Sequence, residues 1–478
     1  MDKMFKVSAL TAALVGAIAA APAMANQDNL GPDYAGAVSE FFGESTISGN
    51  VNFFMRDRVR GNVNANGSDT KKTANLDHGS IFANLGFNSG YVADTVGADV
   101  VIYSTFDMWQ NASPDHEMNF WDVSSPYGDG KVGDCKKLAE DPDNPGQVTN
   151  ENSKWNSNCN SNGVSFATAA AKFKFGDAAT AKLGYFQPSV PSSLGVNWSF
   201  APGTYLGGEV GAKVGGFDLG LVVAEEYKAP WFKRTYTFQT TDGDDAGALY
   251  SLGGRYTFDN DILVDVGYGA LTGGERKNFH VKVKGTTDGG VYWSPQLYVV
   301  DDDEQYDSTA FQLAMLSSFS SGQYSYRAEA TYTSAESNVD GASGNMAYRL
   351  TSQYGGSNGA YDIWWNNRSD FNHDGEFAGF LSASRDFSDI GGKGFSAGVS
   401  SAFGFGAEAE GYKDLKEYAY SFFANYAIQA GALKDANISF YYTEYFNDTD
   451  APNWTGYTNL FQDETDFKLM LTIPFAVK

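Results

Sequence analysis

The sequence predicts an all-β protein: a transmembrane antiparallel β-barrel of about eighteen strands (roughly 16 to 20), with long loops at one end and short turns at the other. Three observations predict it. The chain opens on an export leader, no apolar stretch suits a helical membrane span, and residues 466–475 alternate with a period of two.

The leader comes first. Lys3 and Lys6 make a basic start, Val7 to Ala21 are apolar and small, and Ala23-Met24-Ala25 supplies the small-x-small cleavage pattern. Cleavage after Ala25 leaves 478 − 25 = 453 residues. A membrane anchor is the competing reading, but the apolar run is shorter than the ~20 residues a spanning helix needs. Mean hydropathy is −0.34, and charged or Asn/Gly residues interrupt every later apolar run. A bilayer can then be crossed only by a closed barrel, because every backbone polar group must be satisfied within the protein. The predicted organisation is a signal peptide at 1–25, a periplasmic lead-in at 26–44 and a barrel at 45–478.

The final strand carries the argument. Phe467, Leu469, Leu471, Ile473 and Phe475 alternate with Asp466, Lys468, Met470 and Thr472. One face is greasy and the other mostly polar, as in the aromatic-rich last strand of bacterial outer-membrane barrels, although here the sequence continues to Lys478. The first strand reads the same way. Ile47, Gly49, Val51, Phe53 and Met55 alternate with Ser48, Asn50, Asn52, Phe54 and Arg56. Further outward-facing sets are Ala167/Ala169/Ala171/Phe173, Phe217/Leu219/Leu221/Val223 and Tyr418/Tyr420/Phe422/Ala424, which puts Val222 in the lumen. Short turns are predicted near 176–177, 259–261, 320–322 and 389–392. Long polar connections are predicted near 61–77, 108–162, 187–203, 229–247, 405–416 and 446–464. A less regular stretch at 344–366 contributes the weakest strand candidates.

Composition agrees. Gly is 54 residues, Pro 13, and aromatics 15%, fitting many strands, Gly-rich turns and two aromatic girdles. The net charge of −25 argues against a nucleic-acid partner, which selects basic faces. Cys135 and Cys159 share one polar stretch of an exported chain and are expected to form a loop disulfide. Two thiols alone do not fill a zinc sphere.

Four stretches carry a resemblance. They are NWSFAPGTYLGGEVG at 197–211, EYKAPW at 226–231, DIWWNNRSDFN at 362–372 and NLFQDE at 459–464. The chain resembles the OprD family of substrate-specific porins, and is similar to the chitoporin branch of that family. The resemblance implies an eighteen-stranded monomeric barrel in outer-membrane lipid, an infolded loop near 197–211, a basic ladder in the lumen, and chitooligosaccharides as solute. The long 108–162 connection departs from that pattern.

Candidate site residues follow. Arg56, Arg58 and Arg60 share the polar face of the first strand and so point inward; Lys172, Lys174, Lys182, Arg255 and Arg327 are read inward as well. The competing reading pairs such cations with Asp99, Glu209, Glu226 or Glu329. Trp198, Phe200, Tyr205, Trp231, Trp364 and Trp365 stand near Glu209, Asn366 and Arg368. Aromatic faces beside amides and guanidinium groups suit the C–H faces and hydroxyl edges of a sugar. If 362–372 were a strand, one of Trp364 and Trp365 would face the lumen and the other the lipid.

Asp370, Asn372 and Asp374, followed by Gly375, match the start of a calcium loop, but Leu381 stands where the bidentate Glu belongs. A plain acidic turn is the simpler reading, and no cofactor or metal is expected. The histidines are His78, His116, His280 and His373, and no catalytic motif accompanies them. His78 and Ser80 share a strand face without a recognisable third group, so no enzyme activity is expected. The alternatives to a chitooligosaccharide channel are a channel of the same fold for an organic acid, amino acid or other sugar, and, from another class, an outer-membrane adhesin or hydrolase.

Overall fold

The computed structural model describes residues 39–63, 69–112, 118, 136–140, 148–155, 163–196, 200, 203–230, 232, 235–240, 244–338, 344–351, 356–367, 371–409, 412–447 and 463–477. The leader and cysteines 135 and 159 lie outside them, as do Trp198, Trp231, Arg368 and Asp370.

Eighteen long strands follow one another around a ring. They are β1 (Thr46–Val63), β2 (Asp69–Asn88), β3 (Val96–Gln110), β4 (Gly163–Phe175), β5 (Ala179–Phe186), β6 (Thr204–Val214), β7 (Phe217–Lys228), β8 (Leu249–Thr257) and β9 (Leu263–Leu271). The second half is β10 (Lys277–Thr286), β11 (Tyr292–Asp301), β12 (Ala310–Ser321), β13 (Tyr324–Ser334), β14 (Phe377–Asp386), β15 (Phe395–Ala409), β16 (Tyr412–Ala427), β17 (Asn437–Asn447) and β18 (Glu464–Ala476). A two-residue strand, Tyr236–Thr237, joins the same sheet as a flap on β7. Lys136–Glu140 and Val148–Trp155 pair separately within the connection from β3 to β4.

Every strand pairs antiparallel with its sequence neighbour, and the ring closes where β1 meets β18, from Ser48↔Ala476 to Arg60↔Glu464. Closure leaves no edge strand in the bilayer. The two faces then differ as a period of two requires. On β7, Leu219, Leu221 and Val223 are exposed on the outer face, whereas Val222 and Ala224 are fully buried. On β16, Tyr418, Tyr420 and Phe422 form part of the outer aromatic surface.

Connections at one end are all short. β6 and β7 are joined by Gly215 and Gly216 alone, with φ of 56° and 88°. A two-residue hairpin whose twist matches its strands needs positive φ at both positions, which glycine adopts without strain. At the other end, 187–203, 229–248 and 335–376 are long, and their described residues fold into the barrel.

Four expectations are corrected. Stretches 61–77 and 405–416 are not long loops: β1 continues to Val63, β2 starts at Asp69, and only 410–411 separate β15 from β16. Segment 344–366 is not a strand of the ring but part of an infolded segment. Finally, Ala167 faces inward and is buried, because a bulge opposite Val101 and Ile102 reverses the alternation within β4.

Candidate functional site

The lumen is narrowed by two segments that meet each other. Leu194 and Gly359 form a β-bridge between the 187–203 and 335–376 connections. Gly195 N–H donates to Asn358 O (3.1 Å), and Ala360 N–H donates to Ser193 O (2.9 Å). The Asn358 amide adds a bond to Val196 O (2.9 Å). A Cβ on Gly195 would strike the Gly359 backbone, so this approach requires glycine.

Each segment is tied to the wall. Glu209 on β6 accepts from Ser189 N–H (2.8 Å) and Ser189 Oγ (2.5 Å), which fixes the start of the first segment. Ser193 N–H donates to Ser251 Oγ on β8 (2.8 Å). In the second segment, Asp362 pairs with Lys282 (2.9 Å) and Lys284 (2.6 Å) of β10. Burial pushes the Asp362 carboxyl up, but the two ammonium groups outweigh it and hold the carboxyl below the usual aspartate value. Arg276 reaches the carbonyls of Arg349 (2.8 Å) and Ala347 (2.7 Å) while pairing with Asp302 (2.6 Å). Apolar clusters fill the space behind both segments. Leu194 and Leu350 pack with Phe186, Tyr205 and Val222, and Ile363, Trp365 and Phe371 pack with Phe380 and Tyr445.

Arg56, Arg58 and Arg60 lie on one stretch of wall, where β1 meets β18. Arg56 makes a two-pronged pair with Asp466 (2.9 and 2.7 Å), and Lys468 approaches the same carboxylate (3.1 Å). Arg60 pairs with Glu464 at 2.5 Å and Arg58 lies 3.8 Å from it. Among the described residues, four cationic groups thus cluster around two carboxylates. Four other cations read as inward are matched by acids: Lys172 by Asp99 (2.8 Å), Lys182 by Glu209 (3.5 Å), Arg255 by Asp265 (2.8 Å) and Arg327 by Glu329 (2.8 Å). Three of these four acids are among those named by the competing reading.

Below the two segments, towards the short-turn end, lies a cavity of about 620 Å³. Trp364, Asn366 and Arg327 line one side, with Tyr292, Tyr441 and Asn425 among the other lining residues. Trp364 is 45% exposed, and its carbonyl accepts from Arg327 Nη2 (2.8 Å). Trp365 is 2% exposed, lies parallel to Phe380 and donates to Glu329 (2.9 Å). Neither tryptophan reaches lipid, because the segment that carries them runs inside the barrel. Tyr205 is fully buried in the seam between the two segments, and Glu209 is an anchor below it, so neither is placed to touch a solute. Phe200 packs against Phe54 and Phe82 on the arginine-bearing wall (ring centroids 5.5 and 6.0 Å apart). Asn372 Nδ2 donates to Met346 O (2.6 Å) and Asp374 Oδ1 accepts from Ala335 N–H (2.7 Å), so both are engaged in holding the loop. Tyr292, Tyr441 and Asn425 were not singled out in the sequence; the available signal was an aromatic or amide on the inward parity of a strand.

The His78–Ser80 pair does not form a hydrolytic relay. Ser80 Oγ lies 3.1 Å from His78 Nδ1 and donates to Asp107 (2.9 Å). The serine stands between histidine and aspartate, whereas a nucleophilic triad needs the histidine in the middle.

A closed eighteen-stranded barrel with a lipid-facing outer surface, short turns at one end and infolded segments across its lumen defines a diffusion channel of the bacterial outer membrane. Residues 135–476 match the family described as outer membrane porin, OprD family, and the chain belongs to that family. It is a substrate-specific porin and not an enzyme. The chain is 33% identical over 470 residues to the protein called chitoporin from Escherichia coli (strain K12), covering 91% of this chain and 92% of that one. Among solved structures, Pseudomonas aeruginosa OccK3 (OpdO) aligns with a TM-score of 0.66 at 14% identity, over 94% of this chain and all of the other. OccK9 (OpdG) of the same organism aligns with a TM-score of 0.65 at 18% identity, over 91% and 100%. OccK2 (OpdF) in complex with glucuronate aligns with a TM-score of 0.65 at 14% identity, over 92% and 100%.

Proposed function

We propose that this porin admits chitooligosaccharides by passive diffusion into the periplasm. The observation that carries the reading is the cavity beneath the constriction. Trp364 offers an exposed aromatic face there, with Asn366, Asn425 and Arg327 around it. A sugar ring stacks its C–H face on the indole, and its acetamide exchanges hydrogen bonds with amide and guanidinium groups. The similarity to a chitoporin supports the same solute class. A second reading, a small carboxylate, is favoured by the cluster of cationic side chains at Arg56, Arg58, Arg60 and Lys468. It is also consistent with glucuronate in the OccK2 structure.

Single-channel recording in a planar bilayer separates the two. Chitohexaose should block at a concentration about tenfold or more below that of maltohexaose, since one charge-assisted hydrogen bond to the acetamide contributes ~1.5–3 kcal/mol. Equal block by the two sugars, with stronger block by glucuronate, would overturn the chitooligosaccharide reading and leave the carboxylate one.

A further inference from the structure

We infer that His373, Glu376 and Glu417 form a binding site for one divalent transition-metal cation, which fastens the infolded segment to the barrel wall. His373 and Glu376 end that segment just before β14, and Glu417 projects inward from β16. All three are buried, and one ligand atom of each lies within 4.8 Å of the others. His373 Nδ1 stands 2.9 Å from Glu417 Oε1 and 3.3 Å from Glu376 Oε2. Two zinc ligands at ~2.0–2.1 Å in tetrahedral geometry stand about 3.3 Å apart. The donors are therefore nearly in place.

Three further observations point to a cation. Glu417 Oε2 accepts from the Tyr445 hydroxyl, and Glu376 Oε2 accepts from the His373 backbone N–H (3.0 Å), so the protein orients both carboxylates. Glu376 Oε1 is buried and receives no hydrogen bond among the described residues. Among those residues, neither carboxylate has a lysine or arginine ion pair; the histidine is the partner of both. With both carboxylates ionised, the trio carries a negative charge even beside a protonated imidazole, and burying that charge is costly. A divalent ion bound to a neutral imidazole and two carboxylates cancels it. Gly404 on β15 leaves the room, since a Cβ there would collide with Glu376 Oε1. One nitrogen and two carboxylate oxygens match zinc or cobalt better than calcium, which prefers six to eight oxygens.

The sequence placed its cation candidate on the alternate residues Asp370, Asn372 and Asp374. The structure turns the intervening His373 inward instead and brings it to a glutamate on another strand.

The test refolds the full chain into detergent micelles with chelator, Zn²⁺, Co²⁺ or Ca²⁺, then removes free ion and measures bound metal per chain. Heat-modifiable gel mobility confirms the folded barrel in each sample. One Zn²⁺ or Co²⁺ per barrel is expected, with a visible Co²⁺ d–d band and a higher unfolding temperature than in chelator. Glu376→Gln and Glu417→Gln should each weaken binding by at least about tenfold, given that loss of even an outer-shell partner costs 10–100-fold. Gly404→Ala should weaken it without removing a ligand. A folded wild-type barrel that retains no Zn²⁺ or Co²⁺ overturns the proposal. So does binding that both glutamine variants leave unchanged, or a preference for Ca²⁺.

Discussion

Tyr205 and Asn358 stand 153 positions apart, and the hydroxyl of the first is held by the backbone of the second. It shares its proton between the carbonyls of Asn358 (3.1 Å) and Gly195 (3.0 Å) and accepts from Asn358 N–H (3.2 Å). One buried side chain thus joins both infolded segments to β6. Tyr205→Phe keeps the ring and removes those bonds, leaving buried backbone groups without a partner at a cost of about 1–3 kcal/mol. The barrel should assemble normally, while single-channel current becomes noisier and the preference between sugars shrinks. Current noise identical to wild type would show that the seam holds without this residue.

The outer and inner faces of β7 should respond to charge for different reasons. Leu221 is 40% exposed towards lipid, and Leu221→Arg should cost about 2–4 kcal/mol near the midplane. Val222 faces inward, as the alternation requires, but it is 0% exposed in an apolar cluster instead of bordering water. Val222→Arg should therefore also impair assembly, by burying an unmatched guanidinium. Ser384→Arg, on the cavity, should fold and lower conductance. Heat-modifiable gel mobility of the three variants checks the assignment; a folded Val222→Arg barrel would contradict it.

Ion selectivity should follow the wall where β1 meets β18. Asp466→Asn removes one negative charge from that wall, and Arg56→Ala removes one positive charge. Each step is worth about 1 kcal/mol at short range in water, several-fold in the permeability ratio. Reversal potentials in a salt gradient should move towards anions for the first variant and towards cations for the second. Shifts in one common direction would mean that these groups do not set the field in the lumen.

Asp362 makes the tether of the second segment sensitive to acid. Its carboxyl is held below the usual aspartate value by Lys282 and Lys284, against the effect of burial. A depressed folded-state value means that the stabilisation is complete above the unfolded value of about 3.9 and is lost as pH falls through the folded one. Conductance steps should stay unchanged from neutral pH to about 4, and larger, fluctuating steps should appear below it. Asp362→Asn should show such steps already at neutral pH. A variant as quiet as wild type would assign the tether to other contacts.

The ring was legible because the lipid imposes a period of two on any strand that crosses it. Leu219, Leu221 and Val223 could face only one way once the chain was known to span as a barrel. The pattern misled wherever lipid was not the neighbour. Residues 61–77 and 405–416 belong largely to strands, yet their polar composition resembles that of loops. Trp364 and Trp365 looked like alternate faces of a strand, yet they follow an interior segment whose direction is set by Asp362, Asn358 and Phe380. The arginine face was read correctly from spacing, and its acidic partners were not, because Asp466 lies 410 positions from Arg56 and becomes its neighbour only when the ring closes. His373 meets Glu417 by the same kind of long-range approach.

The join between β1 and β18 also has a meaning in time. Until residues 464–476 arrive, the strand at 46–63 has no second neighbour, and every arc built so far exposes unfilled donors and acceptors at both ends. No arc is a smaller pore; in hydrocarbon it is an exposed edge. The polypeptide must therefore travel as an open polymer, and its net charge of −25 helps such polymers repel one another during the wait. Assembly becomes a single terminal event, and a chain stopped short of its eighteenth strand is left with an edge instead of a channel.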